Sequence, residues 1–163
     1  MNNSISLIGM AGAGKSSVGR ELAKQLKFQF IDSDLLIEAK FNQTLQNILN
    51  NSGYLKLRDI EEETILSIEL FNSVLATGGS AVYSHSAMQY LNKNSLVIYL
   101  EVPFKQILQR VPSFLDRGFA KEPNQTIEDA FQERQELYKG SAHHVIANTA
   151  DLSSCVTKIL SLA

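Results

Sequence analysis

The segment Gly9 to Ser16 reads GMAGAGKS and matches the pattern G-x-x-x-x-G-K-[ST] at each of its defined positions. Glycines at these offsets let the backbone turn so that successive N–H groups point at phosphate oxygens. Lys15 would bring a mobile positive charge to the β- and γ-phosphates, and Ser16 would offer its hydroxyl to Mg²⁺. The spacing predicts a nucleotide-binding loop; the alternative is a glycine-rich turn that merely joins a strand to a helix, with Lys15 on the surface.

A pair of carboxylates follows in FIDSD, Phe30 to Asp34, at the end of a second apolar run. Asp32 and Asp34 are two residues apart, so an extended backbone aims both side chains the same way. Asp32 is suited to hold Mg²⁺ through its water shell, and Asp34 is suited to accept the proton of an attacking hydroxyl. This pair favours a kinase over a motor or a GTPase. The alternative interpretation is that both aspartates only cap the following helix and shape its turn.

These residues need a sheet to position them, and the hydrophobic pattern predicts one. Short apolar runs alternate with segments of helical spacing, which is typical of an α/β fold with a parallel sheet. The predicted strands are residues 4–9, 28–31, 73–76, 95–100 and 143–148. Helices with apolar spacing are predicted around Val18, Leu22 and Leu26, and around Leu57, Ile60, Ile65 and Ile68. Predicted helix caps are Thr44, Ser84 and Thr126, and predicted helix ends are Gly53 and Gly140.

One long segment fits neither pattern. Residues 112–125 read PSFLDRGFAKEPNQ, with two prolines, one glycine and charges of both signs. Irregular loops of this length in compact domains are often functional, and active-site lids are a common case. We therefore expect a lid here.

Composition excludes several classes of partner. With 163 residues and 44% hydrophobic content, the chain is expected to form one domain, 1–163. A net charge of -2 argues against nucleic acid or an anionic membrane surface as a partner. No apolar run approaches the roughly 20 residues of a membrane span, and the single cysteine, Cys155, fits a reducing compartment. We expect a cytoplasmic monomer that acts on a small molecule.

From Ile5 to about Asn148 the sequence resembles the shikimate kinase family, in the nucleoside-monophosphate-kinase-like group of P-loop folds. The resemblance implies a three-layer α/β domain whose five parallel strands have the order 2-3-1-4-5. It also implies an acceptor-binding region at about residues 33–61 and the lid at about 112–125. The implied reaction is transfer of a phosphoryl group from ATP, with Mg²⁺, to a hydroxyl of a small carboxylated alcohol, giving shikimate 3-phosphate from shikimate.

The same resemblance assigns site residues. The implied nucleotide contacts are Gly12, Ala13, Gly14, Lys15, Ser16 and Ser17, with Arg110 packed on adenine and the lid residue Arg117 on the transferring phosphate. The implied metal residues are Ser16 and Asp32. The implied acceptor contacts are Asp34 as candidate base, Arg58, Gly78, Gly79, Ser80 and Arg134. Arg58 and Arg134 would grip the carboxylate while Glu61 steadies Arg58; otherwise Arg58 is a solvated partner of Glu61 or Glu62 on a helix face.

The chain departs from the family at three places. Ser80 stands where the family has the third glycine of a G-G-G turn, and Tyr54 and Leu57 replace an acid and a phenylalanine. The lid has DRGFAKEP around Arg117 instead of R-P-L-L. These changes leave two rivals open: a kinase for another small hydroxy acid, such as homoserine or a sugar acid, and a nucleotide-binding homologue without turnover.

Overall fold

The computed structural model describes residues 3–114 and 116–163 and contains a five-stranded, all-parallel sheet with the order β2-β3-β1-β4-β5. The strands are β1 (Ile5–Ile8), β2 (Gln29–Asp32), β3 (Ser73–Ala76), β4 (Leu96–Glu101) and β5 (His144–Ala147). Each predicted strand is present and differs by no more than one residue at either end. The predicted fold class and strand order are confirmed.

Seven helices and one short 3₁₀ helix, Ala81–Tyr83, connect the strands within the described ranges. The helices are α1 (Lys15–Leu26), α2 (Ser33–Phe41), α3 (Leu45–Ser67), α4 (His85–Asn94), α5 (Phe104–Arg110), α6 (Ile127–Ser141) and α7 (Leu152–Leu160). Thr44, Ser84 and Thr126 cap α3, α4 and α6 through their hydroxyl oxygens, as predicted. Gly53 interrupts α3 with a φ of 82° and does not end it. Gly140 lies in the last turn of α6, one residue before the helix ends at Ser141.

The sheet brings distant segments of the chain to one edge. Because all strands are parallel, their carboxyl ends meet there, which is where ligands bind in open α/β folds. Asp32 at the end of β2 is in register with Ala76 at the end of β3, and Ala76 is also paired with Leu7 of β1. The phosphate loop, the aspartate pair and the turn after β3 therefore lie side by side. Helices cover both faces, and the central strands are fully buried.

A second, smaller core lies beside the sheet. Ile37 of α2 and Ile48, Leu57 and Ile60 of α3 pack together with Ala120. Ala120 belongs to the segment between α5 and α6, in which the described residues form turns but no helix or strand. This agrees with the predicted irregular loop 112–125, of which Leu115 lies outside the described residues. In the described part of the chain, no helix combines the length and the apolar character that crossing a membrane requires.

Candidate active site

The phosphate loop has the conformation that its glycines predict. Gly9, Gly12 and Gly14 have positive φ values of 147°, 82° and 92°, and α1 begins directly afterwards. A cavity of about 440 Å³ opens above the loop. Predicted site residues on its wall are Gly12, Gly14, Lys15, Ser16, Ser17, Asp32, Asp34, Gly79 and Arg117. The N-terminus of α1 and its free amides therefore face a space that suits an anion.

Lys15 is buried at the bottom of this cavity. Its Nζ donates hydrogen bonds to the carbonyl oxygens of Gly9, at 2.7 Å, and Met10, at 2.8 Å. Burial lowers the pKa of Lys15 to about 8, and the nearby charges of Asp34 and Asp32 oppose that decrease. The side chain is therefore a cation held at the loop, with its charge little screened by water. Ala13, also predicted to contact the nucleotide, donates its N–H to the carbonyl of Met10 instead of leaving it free.

Asp32 both caps a helix and contacts the phosphate loop. Its Oδ1 accepts from the N–H groups of Asp34 and Leu35, and its Oδ2 accepts from the hydroxyl of Ser16 at 2.7 Å. The capping interpretation and the metal-site interpretation of this residue are therefore compatible. The cap fixes the carboxylate so that one oxygen stays directed at Ser16.

Asp34 has the environment of a general base. The residue is half-buried, and its Oδ1 is buried and has no hydrogen-bond partner among the described residues. Burial raises the pKa of Asp34 to about 6, while the positive charge of Lys15 opposes the increase. A carboxylate with an unused oxygen and a pKa near neutral is suited to take a proton from an alcohol at physiological pH.

Arg58 of α3 and Arg134 of α6 converge, as the resemblance implied. Both donate through Nη2 to a single acceptor, the carbonyl oxygen of Ala120; the bond from Arg58 measures 3.4 Å. The Nε atoms of both arginines have no hydrogen-bond partner within the described residues. Arg134 is only 1% exposed, and its guanidinium carbon lies 4.1 Å from the ring centroid of Phe119. Two guanidinium groups with unused donors at one point are suited to a carboxylate.

Glu61 contacts a different residue from the one expected. Its carboxylate accepts a hydrogen bond from the hydroxyl of Ser80, and no nitrogen of Arg58 comes within ion-pair distance of it. Burial raises the pKa of Glu61 to about 7, the charge of Asp34 adds to the increase, and the bond from Ser80 opposes it. Ser80, which stands where the resemblance predicts a glycine, is therefore the hydrogen-bond partner of Glu61, the acid that was expected to bind Arg58.

Comparison with known proteins assigns the chain to a family. The family model described as shikimate kinase matches residues 11–163 of the chain. The chain belongs to the shikimate kinase family. Members of this family are kinases, that is, phosphotransferases with an alcohol acceptor, and this chain is one of them.

Individual shikimate kinases align with almost the whole chain. One from Clostridium botulinum (strain Eklund 17B / Type B) is 35% identical over 160 residues, covering 98% of this chain and 96% of the relative. One from Francisella tularensis subsp. novicida (strain U112) is 38% identical over 160 residues, covering 95% and 91%. The solved structure of shikimate kinase from Acinetobacter baumannii in complex with shikimate has a TM-score of 0.88 and 33% identity, covering 99% of this chain and 93% of that one.

The lid of this shikimate kinase family member adopts a conformation that the lid sequence expected from the resemblance, with proline at position 118, would not permit. Gly118 has a φ of 64° and donates its N–H to Oε1 of Gln46 at 2.8 Å. Proline, which the family resemblance led us to expect after the lid arginine, cannot adopt a positive φ and has no N–H to donate. A proline at position 118 would therefore be incompatible with this lid position.

In that position the segment 117–120 narrows the pocket that was predicted to bind the acceptor. A cavity of about 40 Å³ remains between Asp34, Arg134 and residues 117–120, with Glu61 and Ser80 also on its wall. The segment 117–120 therefore lies against the side chains that were predicted to contact the acceptor.

Of the remaining predicted site residues, Arg117 and Gly79 line the two cavities, whereas Gly78 and Arg110 are not on their walls. Arg117 is exposed and lines both, and Gly79 lines both from the turn after β3. The N–H of Gly78 donates to Oγ of Ser33 at 3.0 Å. Arg110 donates to the carbonyl oxygens of Asn148, at 2.7 Å, and Gly12, at 3.4 Å, so it lies beside the outer side of the phosphate loop.

The residues missed at the level of sequence include three that contact the two arginines: Tyr83, Phe119 and Ala120. They contact the two arginines through an aromatic ring or a backbone carbonyl. No spacing of residues in the sequence predicts a contact between an arginine and a distant ring, or between an arginine and a distant backbone carbonyl. The one available signal was the position of Tyr83, three residues after the altered turn.

Proposed function

We propose that this protein transfers the γ-phosphoryl group of ATP to a hydroxyl of shikimate, giving ADP and shikimate 3-phosphate. The observation that carries the proposal is the convergence of Arg58 and Arg134 on one carbonyl oxygen, beside a cavity that Arg134 and Asp34 both line. Shikimate has a carboxylate for the two arginines and hydroxyls for the aspartate. The related Acinetobacter baumannii enzyme was solved in complex with shikimate, which supports the same choice of acceptor.

On the donor side, the chain offers positive charge where the transferring group becomes more anionic. The amides of the phosphate loop would bind the β- and γ-phosphates, with Lys15 beside them. Arg117 lines the same cavity from the lid and would approach the γ-phosphate when the lid closes. Charges held in advance around a phosphoryl group stabilise its transition state without reorganisation.

Ser16 and Asp32 are the residues that would hold Mg²⁺. Their side-chain oxygens already contact each other at 2.7 Å, and hard oxygen donors are the ligands that Mg²⁺ prefers. Across the described residues, no cluster of three or more His, Cys, Asp or Glu side chains forms a metal cage. This fits an ion that takes most of its ligands from phosphates and water. When bound, it would neutralise phosphate charge and align the β- and γ-phosphates.

On the acceptor side, Asp34 would accept the proton of the attacking hydroxyl. The hydroxyl oxygen forms a bond to the γ-phosphorus, the bond from that phosphorus to the β,γ-bridging oxygen breaks, and ADP leaves with the electron pair. Arg58 and Arg134 would hold the carboxylate so that the hydroxyl lies in line with the leaving oxygen. Because the lid segment now bonds to both arginines, it has to withdraw before the acceptor enters.

The test is an ADP-release assay with purified protein, ATP and a panel of acceptors: shikimate, homoserine and gluconate. We expect shikimate to have the highest kcat/KM, because it alone of the three presents a ring carboxylate and adjacent ring hydroxyls. A higher value for another acid would assign the chain to a different acceptor within the same fold, an outcome motivated by Ser80, Tyr54 and Gly118. Nucleotide binding without any acceptor-dependent ADP release would identify a non-catalytic homologue.

Four further predictions remain to be tested: a monomer, a cytoplasmic location, no nucleic acid or membrane partner, and adenine packed on Arg110. Gel filtration, localisation of a tagged protein and a comparison of ATP with GTP as donor would address them. The position of Arg110 beside Gly12 supports the adenine contact, because this arginine borders the phosphate loop from outside.

A further inference from the structure

One aromatic ring contacts both of the converging arginines. The guanidinium carbon of Arg58 lies 3.7 Å from the ring centroid of Tyr83, and that of Arg134 lies 5.4 Å from the same centroid. Tyr83 is the last residue of the 3₁₀ helix that follows the Gly78 to Ser80 turn. Both distances are within the range in which the negative face of a ring attracts a cation.

The two arginines need such a partner. Their like charges repel each other in a site from which water is largely excluded, and Glu61 is hydrogen-bonded to Ser80 instead of ion-paired with Arg58. The carbonyl of Ala120 is the other partner that they share, but it belongs to the lid segment that has to leave for the acceptor to enter. Once it leaves, the ring of Tyr83 remains in contact with both arginines, and the carboxylate of Glu61 acts on both through its charge without an ion-pair contact to Arg58.

The ring is itself held by the helix that carries one of the arginines. The hydroxyl of Tyr83 donates to Oε1 of Glu133 at 2.5 Å, and Glu133 directly precedes Arg134 on α6. Tyr54, 5.0 Å from Arg58, is a second aromatic neighbour, on α3 itself. The ring of Tyr83 therefore links α3 and α6 at the point where the guanidinium groups meet.

We propose that Tyr83 is a positioning residue that holds Arg58 and Arg134 in the arrangement that binds the acceptor carboxylate. The inference rests on the proposed function, because it takes shikimate as the acid that the arginines bind. Tyr83 does not touch the reacting atoms, so its effect should appear in acceptor binding and not in the chemical step. The face of the ring is the group that contacts both guanidinium groups, and the hydroxyl contributes to the orientation of the ring through Glu133.

The test compares Tyr83→Leu with Tyr83→Phe in steady-state kinetics. Tyr83→Leu should raise KM for shikimate about 10-fold, with kcat and KM for ATP changed by less than about twofold. Tyr83→Phe keeps the ring and should restore KM to within about twofold of the wild type. Tyr90→Leu is the matched control: Tyr90 is equally half-buried and hydrogen-bonds through its hydroxyl to Ile68, but it contacts no arginine in the described structure.

A readout without substrate separates positioning from general damage. In the wild type, the NMR signals of the Nε–H groups of Arg58 and Arg134 should carry ring-current shifts. Tyr83→Leu should change these shifts most at Arg58, which lies 3.7 Å from the Tyr83 centroid, and leave the contributions of Tyr54 to Arg58 and of Phe119 to Arg134. Tyr83→Phe and Tyr90→Leu should retain the wild-type shifts. If Tyr83→Leu does not fold, Tyr83→Met takes its place, because the flexible methionine side chain fills a similar volume.

An unchanged KM for shikimate in the folded Tyr83→Leu variant would overturn the inference, as would equal damage in Tyr83→Phe. Either result leaves the proposed function standing, because the wild type still turns shikimate over. If the wild type itself shows no shikimate-dependent turnover, the proposed function fails, and the role of Tyr83 fails with it. The wild-type assay therefore tells the two failures apart.

Discussion

The guanidinium group of Arg134 donates a hydrogen bond to the carbonyl oxygen of Ala120, a residue of the lid. Arg58 donates to the same oxygen, so a lid carbonyl takes the position at which an acceptor carboxylate would bind. The cavity beside Arg134 and residues 117–120 measures about 40 Å³. With Arg58 and Arg134 as the proposed carboxylate site, this conformation is occluded, and acceptor binding would include the free-energy cost of withdrawing the segment 118–120.

Gly118→Ala should weaken this occlusion. At a φ of 64° an added Cβ would overlap the side chain of Leu45, and a left-handed conformation costs a residue other than glycine about 1–2 kcal/mol. The Kd for shikimate without nucleotide should fall about 3- to 10-fold, because less of the population is occluded. Isothermal titration calorimetry measures this.

The control for that variant is Gly140→Ala. Gly140 lies in a helix, and an added Cβ there would meet nothing within 4 Å. Shikimate affinity should stay at the wild-type value. Equal affinities in all three proteins would mean that the occluded conformation does not limit binding.

Arg58→Lys and Arg134→Lys should each weaken acceptor binding selectively. Lysine keeps the charge but loses the planar fork that binds a carboxylate through two hydrogen bonds. We expect KM for shikimate to rise about 10- to 100-fold, with KM for ATP changed by less than about twofold. Parallel losses in ATP binding would contradict the assignment of both arginines to the carboxylate.

Lys15→Met should impair turnover with every acceptor, because Lys15 acts on the donor. Methionine fills a similar volume but removes the buried charge beside the phosphates, and kcat should fall about 100- to 1000-fold. Rapid-quench measurement of ADP formation would show whether the chemical step is slowed. Lys24→Met, at an exposed position on the same helix, should match the wild type.

Glu61 should make the protein less stable as the pH rises. Its pKa is about 7 in the folded protein against 4.5 as the ordinary value, so the folded state binds this proton more tightly. The contribution to stability is complete below pH 4.5 and is lost as the pH rises through about 7, by up to about 3 kcal/mol. Glu61→Gln, which mimics the protonated acid, should not show this loss.

Urea unfolding at pH 5 and pH 8 tests that prediction through the difference between wild type and Glu61→Gln. Glu63→Gln, at an exposed position two residues along α3, is the control and should follow the wild type at both pH values. If Glu61→Gln loses as much stability between these pH values as the wild type does, another group is responsible.

Local patterns in the sequence predicted the framework of this protein well. The five strands and the phosphate loop are contiguous segments whose apolar spacing and glycine offsets report directly on backbone geometry. Asp32 was predicted in two roles, and both are compatible with its position, because a helix cap and a contact to Ser16 use different oxygens. The resemblance to a known family then supplied Arg58 and Arg134, which no local pattern connects.

The partners of those residues depended on packing between segments far apart in the chain. The order of residues does not indicate that Ser80 would donate a hydrogen bond to Glu61. It also does not indicate that the ring of Tyr83 and the carbonyl oxygen of Ala120 would each contact both Arg58 and Arg134. Periodicity reports the face of an element on which a side chain lies, whereas these contacts are set by how α3, α6 and the lid pack against each other. The fold and the phosphate loop follow from short-range sequence, and the state of the acceptor pocket follows from long-range packing.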